Sequence, residues 1–358
     1  RSSDLWTFHL RPGITWSDGS AITAQDVVWS WQRLVDPKTA SPYASYPGNM
    51  HIVNGTDIAQ GKKAPDTLGV KAINDTTLEV TLTQPNAAFL AMLAHPSLVP
   101  VDKVLISRFG EKWTKPEHIV TSGAYKLSQW VVNERIVAER NPRYWDNAHT
   151  VINKVTYLPI TSEASDVNRY KAGEIDIVYT VPINQFAQLK KTLGSELDVS
   201  PQLATYYYEF NTTRPPFNDV RVRKALYQAI DINTIQRVVL RGLAQPTGAL
   251  VARQVNGWTA KADVRWPYDA AAAQKLLAEA GYPQGFEVDF ACSAGRYIND
   301  EQLCQAITAQ WAKVGIKAKL RTQPFATYFP MIQRNEASIY LLGWGVPTFD
   351  AFYSLQSL

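Results

Sequence analysis

The feature that most restricts the possible folds of this chain is an alternation of strand and helix patterns between residues 285 and 343. Residues 287–291 are typical of a strand, and a helix pattern over residues 300–314 ends at Gly315 before the next strand pattern, residues 316–320. This alternation predicts a βαβ-type lobe with a partly parallel sheet. Binding sites in such sheets lie at the ends of the strands.

The first half of the chain has a mixed pattern instead. Residues 5–10 are typical of a strand, and residues 69–73 and 77–82 are typical of two strands joined by a turn. Between them, Thr23 begins a helix pattern in which Asp26 stands at the third helical position, the arrangement of a capping box. We therefore expect an α+β arrangement in this half.

The length of the chain indicates more than one hydrophobic core. With 358 residues, of which 46% are hydrophobic, the chain exceeds the size at which a single core usually stops growing. Residues 176–179 and 205–210 are typical of strands, and the second of them begins a new region. We expect two lobes, which make a cleft possible, with a change of lobe near residue 205.

Charge and hydropathy argue against several partners. The net charge is +4 and no run of five Lys or Arg occurs, so neither nucleic acid nor a membrane surface is indicated as a partner. No apolar run reaches about 18 residues, and the N-terminus lacks a signal-peptide pattern. Because residues 5–10 already form a strand pattern and residues 350–358 run apolar without a stop signal, we expect a fragment of a longer protein.

The cysteines and histidines do not suggest a metal site. Cys292 and Cys304 can form one disulfide or remain two buried thiols, and the bridge requires a Cα separation under about 7 Å. The 5 histidines are scattered, and none has a second His or Cys at ligand spacing. We expect neither a metal nor a cofactor.

Motifs of covalent catalysis are missing from the sequence. Serine-hydrolase, zincin, P-loop and dinucleotide-binding signatures do not occur. Carboxylate pairs such as Glu174 with Asp176, or Asp300 with Glu301, could meet in a cleft as acid and base, but solvated surface charges are the simpler interpretation. We therefore expect that the protein is not an enzyme and has no catalytic residue. The alternative is an enzyme, a hydrolase that uses paired carboxylates in a cleft.

The best binding pattern is Leu-Leu-Gly-Trp-Gly at residues 341–345. Gly343 and Gly345 allow close approach of another backbone, and Trp344 offers a flat wall, so an extended peptide could add to this strand end. The alternative is a buried strand that ends in a tight turn. Tyr43 and Tyr179 could present hydroxyls and Arg296 could pair with a carboxylate, unless these side chains are ordinary core tyrosines and a surface arginine.

Many segments, taken in order, resemble the oligopeptide-binding proteins of bacterial ABC importers, which are family 5 extracellular solute-binding proteins. The segments include LWTFHLR at residues 5–11, WSDG at 16–19, TAQDV at 23–27, SPYASY at 41–46, TYYYEF at 205–210 and PPFNDVRVR at 215–223. Murein-peptide-binding proteins are similar as well. After about residue 244, segments such as GRY at 295–297 and GWG at 343–345 resemble the dipeptide-type branch.

The resemblance implies a two-lobed α/β periplasmic binding protein of type II, similar to cluster C, with an extra subdomain in the N-terminal lobe. Residues 1–102 would form that subdomain, 103–204 part of the N-terminal lobe and 205–358 an incomplete second lobe. It further implies a monomeric receptor, periplasmic or lipid-anchored outside the cytoplasmic membrane, that captures short peptides by backbone hydrogen bonds and delivers them to a membrane permease. A nickel chelate, an opine or a sugar remains the alternative ligand.

The resemblance also assigns the ligand-binding residues. It places Tyr43 and Tyr179 in the cleft lining, residues 343–345 in the strand that pairs with the peptide, and Arg296 at the ligand carboxylate. One departure from the family pattern is Pro347, which stands where peptide-binding members keep an aspartate for the ligand's α-ammonium group. We expect Asp350 to take that role, since an unpaired buried ammonium costs several kcal/mol.

Overall fold

The computed structural model describes residues 4–346 and 350–356. The chain forms two compact units, one reaching Pro159 and the other spanning Ile160–Leu355. The three-part division at residues 102 and 204 stays a prediction. Among the described residues, no helix is long and apolar enough to cross a membrane.

The first unit contains two antiparallel sheets with strand orders β1-β3-β2 and β4-β5-β6. The strands are β1 (Leu5–His9), β2 (Val70–Asn74), β3 (Thr77–Thr81), β4 (Tyr125–Val131), β5 (Arg135–Arg140) and β6 (Lys154–Tyr157). The helices are α1 (Ala24–Val35), α2 (Tyr46–Asn49), α3 (Gly55–Ala59), α4 (Phe89–Met92) and α5 (Lys103–Phe109).

Helix α1 follows from its sequence. Asp26 closes the predicted capping box, because its carboxylate accepts from the backbone N–H of Thr23 at 2.7 Å. The apolar stripe of the helix is buried, and within it the indole N–H of Trp31 donates to the carbonyl of Leu98 at 2.9 Å. The predicted strands at residues 5–10, 69–73 and 77–82 are confirmed as β1, β2 and β3.

The second unit is built around a mixed sheet with the strand order β7-β10-β8-β9. Its strands are β7 (Ala204–Phe210), β8 (Glu287–Ala294), β9 (Lys317–Pro324) and β10 (Ile339–Gly345). The helices along this part of the chain are α6 (Glu163–Lys171), α7 (Phe186–Leu193), α8 (Val220–Gln228), α9 (Ile232–Thr234), α10 (Ala270–Glu279), α11 (Asp300–Ala312), α12 (Phe325–Gln333) and α13 (Ala351–Gln356).

The predicted partly parallel sheet is confirmed. Strand β8 pairs in parallel with β9 over its whole length and with β10 at Ile339 and Tyr340, whereas β10 pairs antiparallel with β7. Helix α11 covers the sheet, and its fully buried Trp311 packs against Phe290 of β8. The indole N–H of Trp311 donates to the carbonyl of Leu226 in α8 at 3.0 Å.

The strand predicted at residues 176–179 does not form. This segment is described and has no regular secondary structure. Ile177 and Tyr179 are 82% and 99% exposed, so the side of the segment that carries these two residues faces solvent. Its β-branched and aromatic composition favoured a strand, but a strand needs a neighbouring strand or a core to stabilise it.

Candidate functional site

The candidate site lies along the C-terminal ends of the parallel strands β8, β9 and β10. This row of strand ends forms one edge of the second unit's sheet. Strands β8 and β10 are paired at Tyr340 but separate beyond it. Two tyrosines occupy the positions of the missing partners: Tyr328 donates its hydroxyl to the carbonyl of Leu341 at 2.6 Å, and Gly343 donates its N–H to the hydroxyl of Tyr297 at 2.9 Å. The backbone of β10 is therefore held partly by side chains at this edge.

Asp300 anchors the loop between β8 and α11. The residue is 3% exposed, and its carboxylate accepts five hydrogen bonds of 2.8–3.2 Å. The donors are the Ser293 hydroxyl and the backbone N–H groups of Gly295, Arg296, Tyr297 and Glu301. The interpretation of Asp300 as a solvated surface charge is wrong, because converging backbone donors compensate the cost of burying its charge.

Arg296 lies on this loop with its guanidinium group stacked against aromatic rings. Its Cζ atom is 5.0 Å from the centre of the Phe325 ring and 5.7 Å from that of Tyr297. The residue is exposed. A guanidinium group held by its face keeps its N–H edge available for a carboxylate.

Tyr179 and Tyr206 belong to the same neighbourhood. The ring of Tyr206 lies 4.9 Å from that of Tyr297. Burial raises the pKa of Tyr206, the nearby hydroxyls of Tyr297 and Tyr179 contribute in the same direction, and the positive charge of Arg296 opposes them. The predicted Arg296 thus stacks beside Tyr297, and the predicted Tyr179 is near enough to Tyr206 to influence its pKa. Neither Tyr206 nor Tyr297 was selected from the sequence.

The glycines and the tryptophan of β10 are in three different environments. A Cβ atom on Gly343 would lie 2.6 Å from Cε1 of Tyr297, whereas a Cβ atom on Gly345 would meet nothing within 4 Å. Trp344 is half-buried and packs against a small core that includes Val251 and Val255. Its ring is therefore part of the packing of the unit, and Gly345 is the exposed member of the three.

Asp350 and Tyr43 have local partners. The Asp350 carboxylate accepts from the side-chain amide of Asn256 at 2.9 Å and from the N–H of Phe352 at 2.8 Å, at the start of α13. Tyr43, in the first unit, is 50% exposed, and its ring contacts that of His95 edge-on at 4.9 Å. Pro347, the departure from the family pattern, lies outside the described residues.

Cys292 and Cys304 form a disulfide. It joins β8 to α11 with a Cα separation of 6.5 Å, and both residues are fully buried. The bridge closes the segment that contains the loop anchored by Asp300, so a covalent link and a buried carboxylate constrain the same short stretch of backbone.

The site has the features of a binding surface. Within residues 4–346 and 350–356, no group of three or more His, Cys, Asp and Glu side chains is arranged to hold a metal ion. Of the carboxylates considered for acid–base chemistry, Asp300 is saturated with donors and Glu174 pairs with Arg169 at 2.9 Å. The groups that converge at the edge are backbone amides, hydroxyls, aromatic rings and one guanidinium group.

Sequence reasoning did not select Tyr206 and Tyr297, and it considered Asp300 only as an acid–base or surface carboxylate. The sequence predicted a strand that contains Tyr206. The strand has three consecutive tyrosines, and its sequence pattern does not show which of them faces the candidate site. Asp300 is the first residue of α11, where acidic residues are favoured, so its position in a helix could be predicted. Its burial could not, because it depends on how the loop between β8 and α11 folds back over the carboxylate. Tyr297 contacts Gly343, which is 46 positions further along the chain.

Comparison with known proteins identifies relatives over the whole described region. The family model of the bacterial extracellular solute-binding proteins, family 5 Middle, matches residues 2–358. The chain is 47% identical over 351 residues to the periplasmic oligopeptide-binding protein OppA of Salmonella typhimurium, covering 95% of this chain and 64% of that protein. It is 42% identical over 358 residues to the probable deoxycholate-binding periplasmic protein YgiS of Escherichia coli, covering 99% and 66%.

Solved structures agree with this assignment. Haemophilus influenzae OppA in complex with RPPGFSPFR matches with a TM-score of 0.90 at 36% identity, over 98% of this chain and 70% of that chain. The murein tripeptide binding protein MppA of Escherichia coli matches with a TM-score of 0.92 at 36% identity and the same coverage. These matches confirm the predicted fold class. The chain spans 64% of the length of the Salmonella relative.

Proposed function

We propose that this chain, which belongs to family 5 of the bacterial extracellular solute-binding proteins, is part of a receptor that captures short peptides for an ABC importer. The observation that carries the proposal is the combination, at one sheet edge, of β10 backbone groups with the stacked guanidinium group of Arg296. Relatives that bind oligopeptides, and a solved relative with a bound peptide, support the same ligand class.

Backbone pairing supplies affinity for peptides of many sequences. In a strand, the N–H and C=O groups of alternate residues point to the same side. The carbonyl of Leu341 and the N–H of Gly343 face the hydroxyls of Tyr328 and Tyr297. The following two backbone groups on the same side of β10 are the carbonyl of Gly343 and the N–H of Gly345. In our proposal, an extended peptide adds here by β-augmentation.

The remaining predicted residues supply the ligand's other contacts. Arg296 pairs with the peptide carboxylate, and Asp350 with the α-ammonium group in place of the aspartate replaced by Pro347. Tyr179 and Tyr43 contribute hydroxyls and ring faces, and Trp344 supports β10 from behind through its contacts with the core around Val255.

No covalent chemistry belongs to this proposal. The binding groups include no activated nucleophile, and the carboxylates Asp300 and Glu174 are engaged in hydrogen bonds and an ion pair. The receptor is proposed to act as a monomer, without cofactor, in the periplasm or tethered outside the cytoplasmic membrane. It would hand its ligand to the membrane permease after closing on it.

A steroid carboxylate is a second candidate ligand. The relative named as probable deoxycholate-binding is 42% identical over 358 aligned residues, which cover 99% of this chain. A guanidinium group beside the rings of Phe325 and Tyr297 suits a rigid apolar anion as well as a peptide terminus.

Native mass spectrometry of the full-length protein, purified from cells without ligand addition, tests the proposal. A ladder of masses that corresponds to di- to pentapeptides is the expected result. A single non-peptide mass would contradict peptide capture, and exchange with added deoxycholate would then identify the second candidate. Turnover of any bound molecule would show an enzyme instead.

A further inference from the structure

The carboxylate of Asp300 is buried, and four of its five hydrogen-bond donors are backbone N–H groups, the fifth being the hydroxyl of the fully buried Ser293. Three of its five donors are the consecutive backbone N–H groups of Gly295, Arg296 and Tyr297, at 3.1–3.2 Å. Consecutive amides that converge on one anion form a nest and fix the direction of the chain around it. Asp300 thereby determines where the loop presents its side chains.

Two of those side chains form the candidate site. Arg296 stacks over Phe325, and the Tyr297 hydroxyl accepts from the N–H of Gly343. Both residues are adjacent in sequence, and each donates its own backbone N–H to Oδ2 of Asp300. A change in this carboxylate would therefore move the guanidinium group and the tyrosine hydroxyl together.

We propose that Asp300 is the positioning residue of the ligand site, which sets Arg296 for the ligand carboxylate and Tyr297 for the backbone of β10. This inference rests on the proposed function for its ligand part, and on the structure alone for its Tyr297 part. The two parts can be tested separately.

Asp300→Asn is the informative substitution. Oδ2 accepts from Ser293, Arg296 and Tyr297, and Oδ1 accepts from Gly295 and Glu301. An asparagine amide presents one acceptor and one donor, so two or three of these five donors would face an NH₂ group. Asp289→Asn is the matched control, because it makes the same chemical change on the strand that carries Ser293. The Asp289 side chain is 54% exposed, and it lies 3.9 Å from Arg321, a long ion-pair distance.

Amide hydrogen exchange of the full-length protein, followed by NMR, tests the structural part. The N–H of Gly343 should exchange about tenfold faster in Asp300→Asn, as in Tyr297→Phe, and at the wild-type rate in Asp289→Asn. Unchanged exchange of Gly343 in Asp300→Asn would overturn the positioning role. If Asp300→Asn does not fold, Ser293→Ala, which removes one donor at 2.8 Å, should accelerate the same amide to a smaller degree.

Calorimetric titration with trialanine and with trialanine amide tests the ligand part. Asp300→Asn should weaken trialanine binding about tenfold more than it weakens binding of the amide, because the amide has no carboxylate for Arg296. In the background of Arg296→Ala, the substitution should affect the two peptides equally. Equal weakening for both peptides would show a merely structural role and overturn the ligand part. A wild-type protein that binds neither peptide would contradict the proposed function, while the exchange measurement still decides the role of Asp300.

Discussion

The backbone N–H of Gly343 donates a hydrogen bond of 2.9 Å to the hydroxyl of Tyr297. This contact joins the end of strand β10 to the loop that follows β8, at the point where the two strands no longer pair. Because the hydroxyl replaces a backbone carbonyl as acceptor, a side chain satisfies the N–H of Gly343 at this strand end.

Gly343→Ala should destabilise the second unit by about 1–3 kcal/mol, since its Cβ would lie 2.6 Å from Tyr297 and 2.8 Å from Tyr206. Gly345→Ala should change stability little, because a Cβ atom there meets nothing within 4 Å. Urea unfolding of both variants measures the difference. Equal stabilities would contradict the close packing at Gly343.

Tyr179→Ala should leave the free energy of unfolding within about 0.5 kcal/mol of the wild type, because the side chain is 99% exposed. It should weaken peptide binding, measured by titration, if Tyr179 lines the ligand site. Ile177→Ala, at 82% exposure two positions away, is the control and should affect neither quantity. Unchanged affinity in both variants would remove Tyr179 from the site.

Asp350→Asn should weaken the binding of peptides with a free α-amino group by about tenfold and spare N-acetylated peptides. The asparagine keeps an acceptor for the N–H of Phe352, so the start of α13 is retained. Asp350→Ala should in addition cost about 1 kcal/mol of stability through loss of the cap. Equal affinities of wild type and Asp350→Asn for free peptides would exclude the proposed role.

Removal of the Cys292–Cys304 disulfide by replacing both residues with Ala should cost about 3 kcal/mol for a closed segment of this length, in which the cysteines are 12 positions apart. Calorimetry in the absence of reductant measures the loss. Each single variant should lose as much as the double variant, because either one breaks the bridge. Three equal and negligible losses would mean that the bridge does not stabilise the fold.

Stability should fall as the pH drops below about 6.5, and His95 should be one cause. Burial lowers the pKa of His95 from its ordinary 6.5, so the unfolded chain takes up the proton first and the folded state loses stability as the pH falls. The Nδ1 atom accepts from the N–H of Ser97 at 3.2 Å, which requires the unprotonated nitrogen. His95→Asn keeps an acceptor without titrating, and its melting temperature should decline less between pH 7 and pH 5. Parallel declines in both proteins would exclude His95.

Local elements were predictable because their causes are local. The capping box of Thr23 and Asp26 and the alternation after residue 285 specify helix α1 and the parallel strands without reference to distant residues. The family was also predictable, and the match over residues 2–358 confirms it. The failure at residues 176–179 has the opposite cause, since strand propensity there lacked a neighbouring strand.

The class of the fold, the family and the residue types able to bind a peptide terminus follow from the amino-acid sequence alone. Which of them meet depends on the tertiary structure: Arg296 stacks beside Tyr297, whose ring contacts that of Tyr206, while Trp344 packs into a core and Asp300 is buried under five donors. The physical reason is that the register of β10 on β7 and β8 and the return of the β8–α11 loop are long-range relationships, which no local pattern encodes.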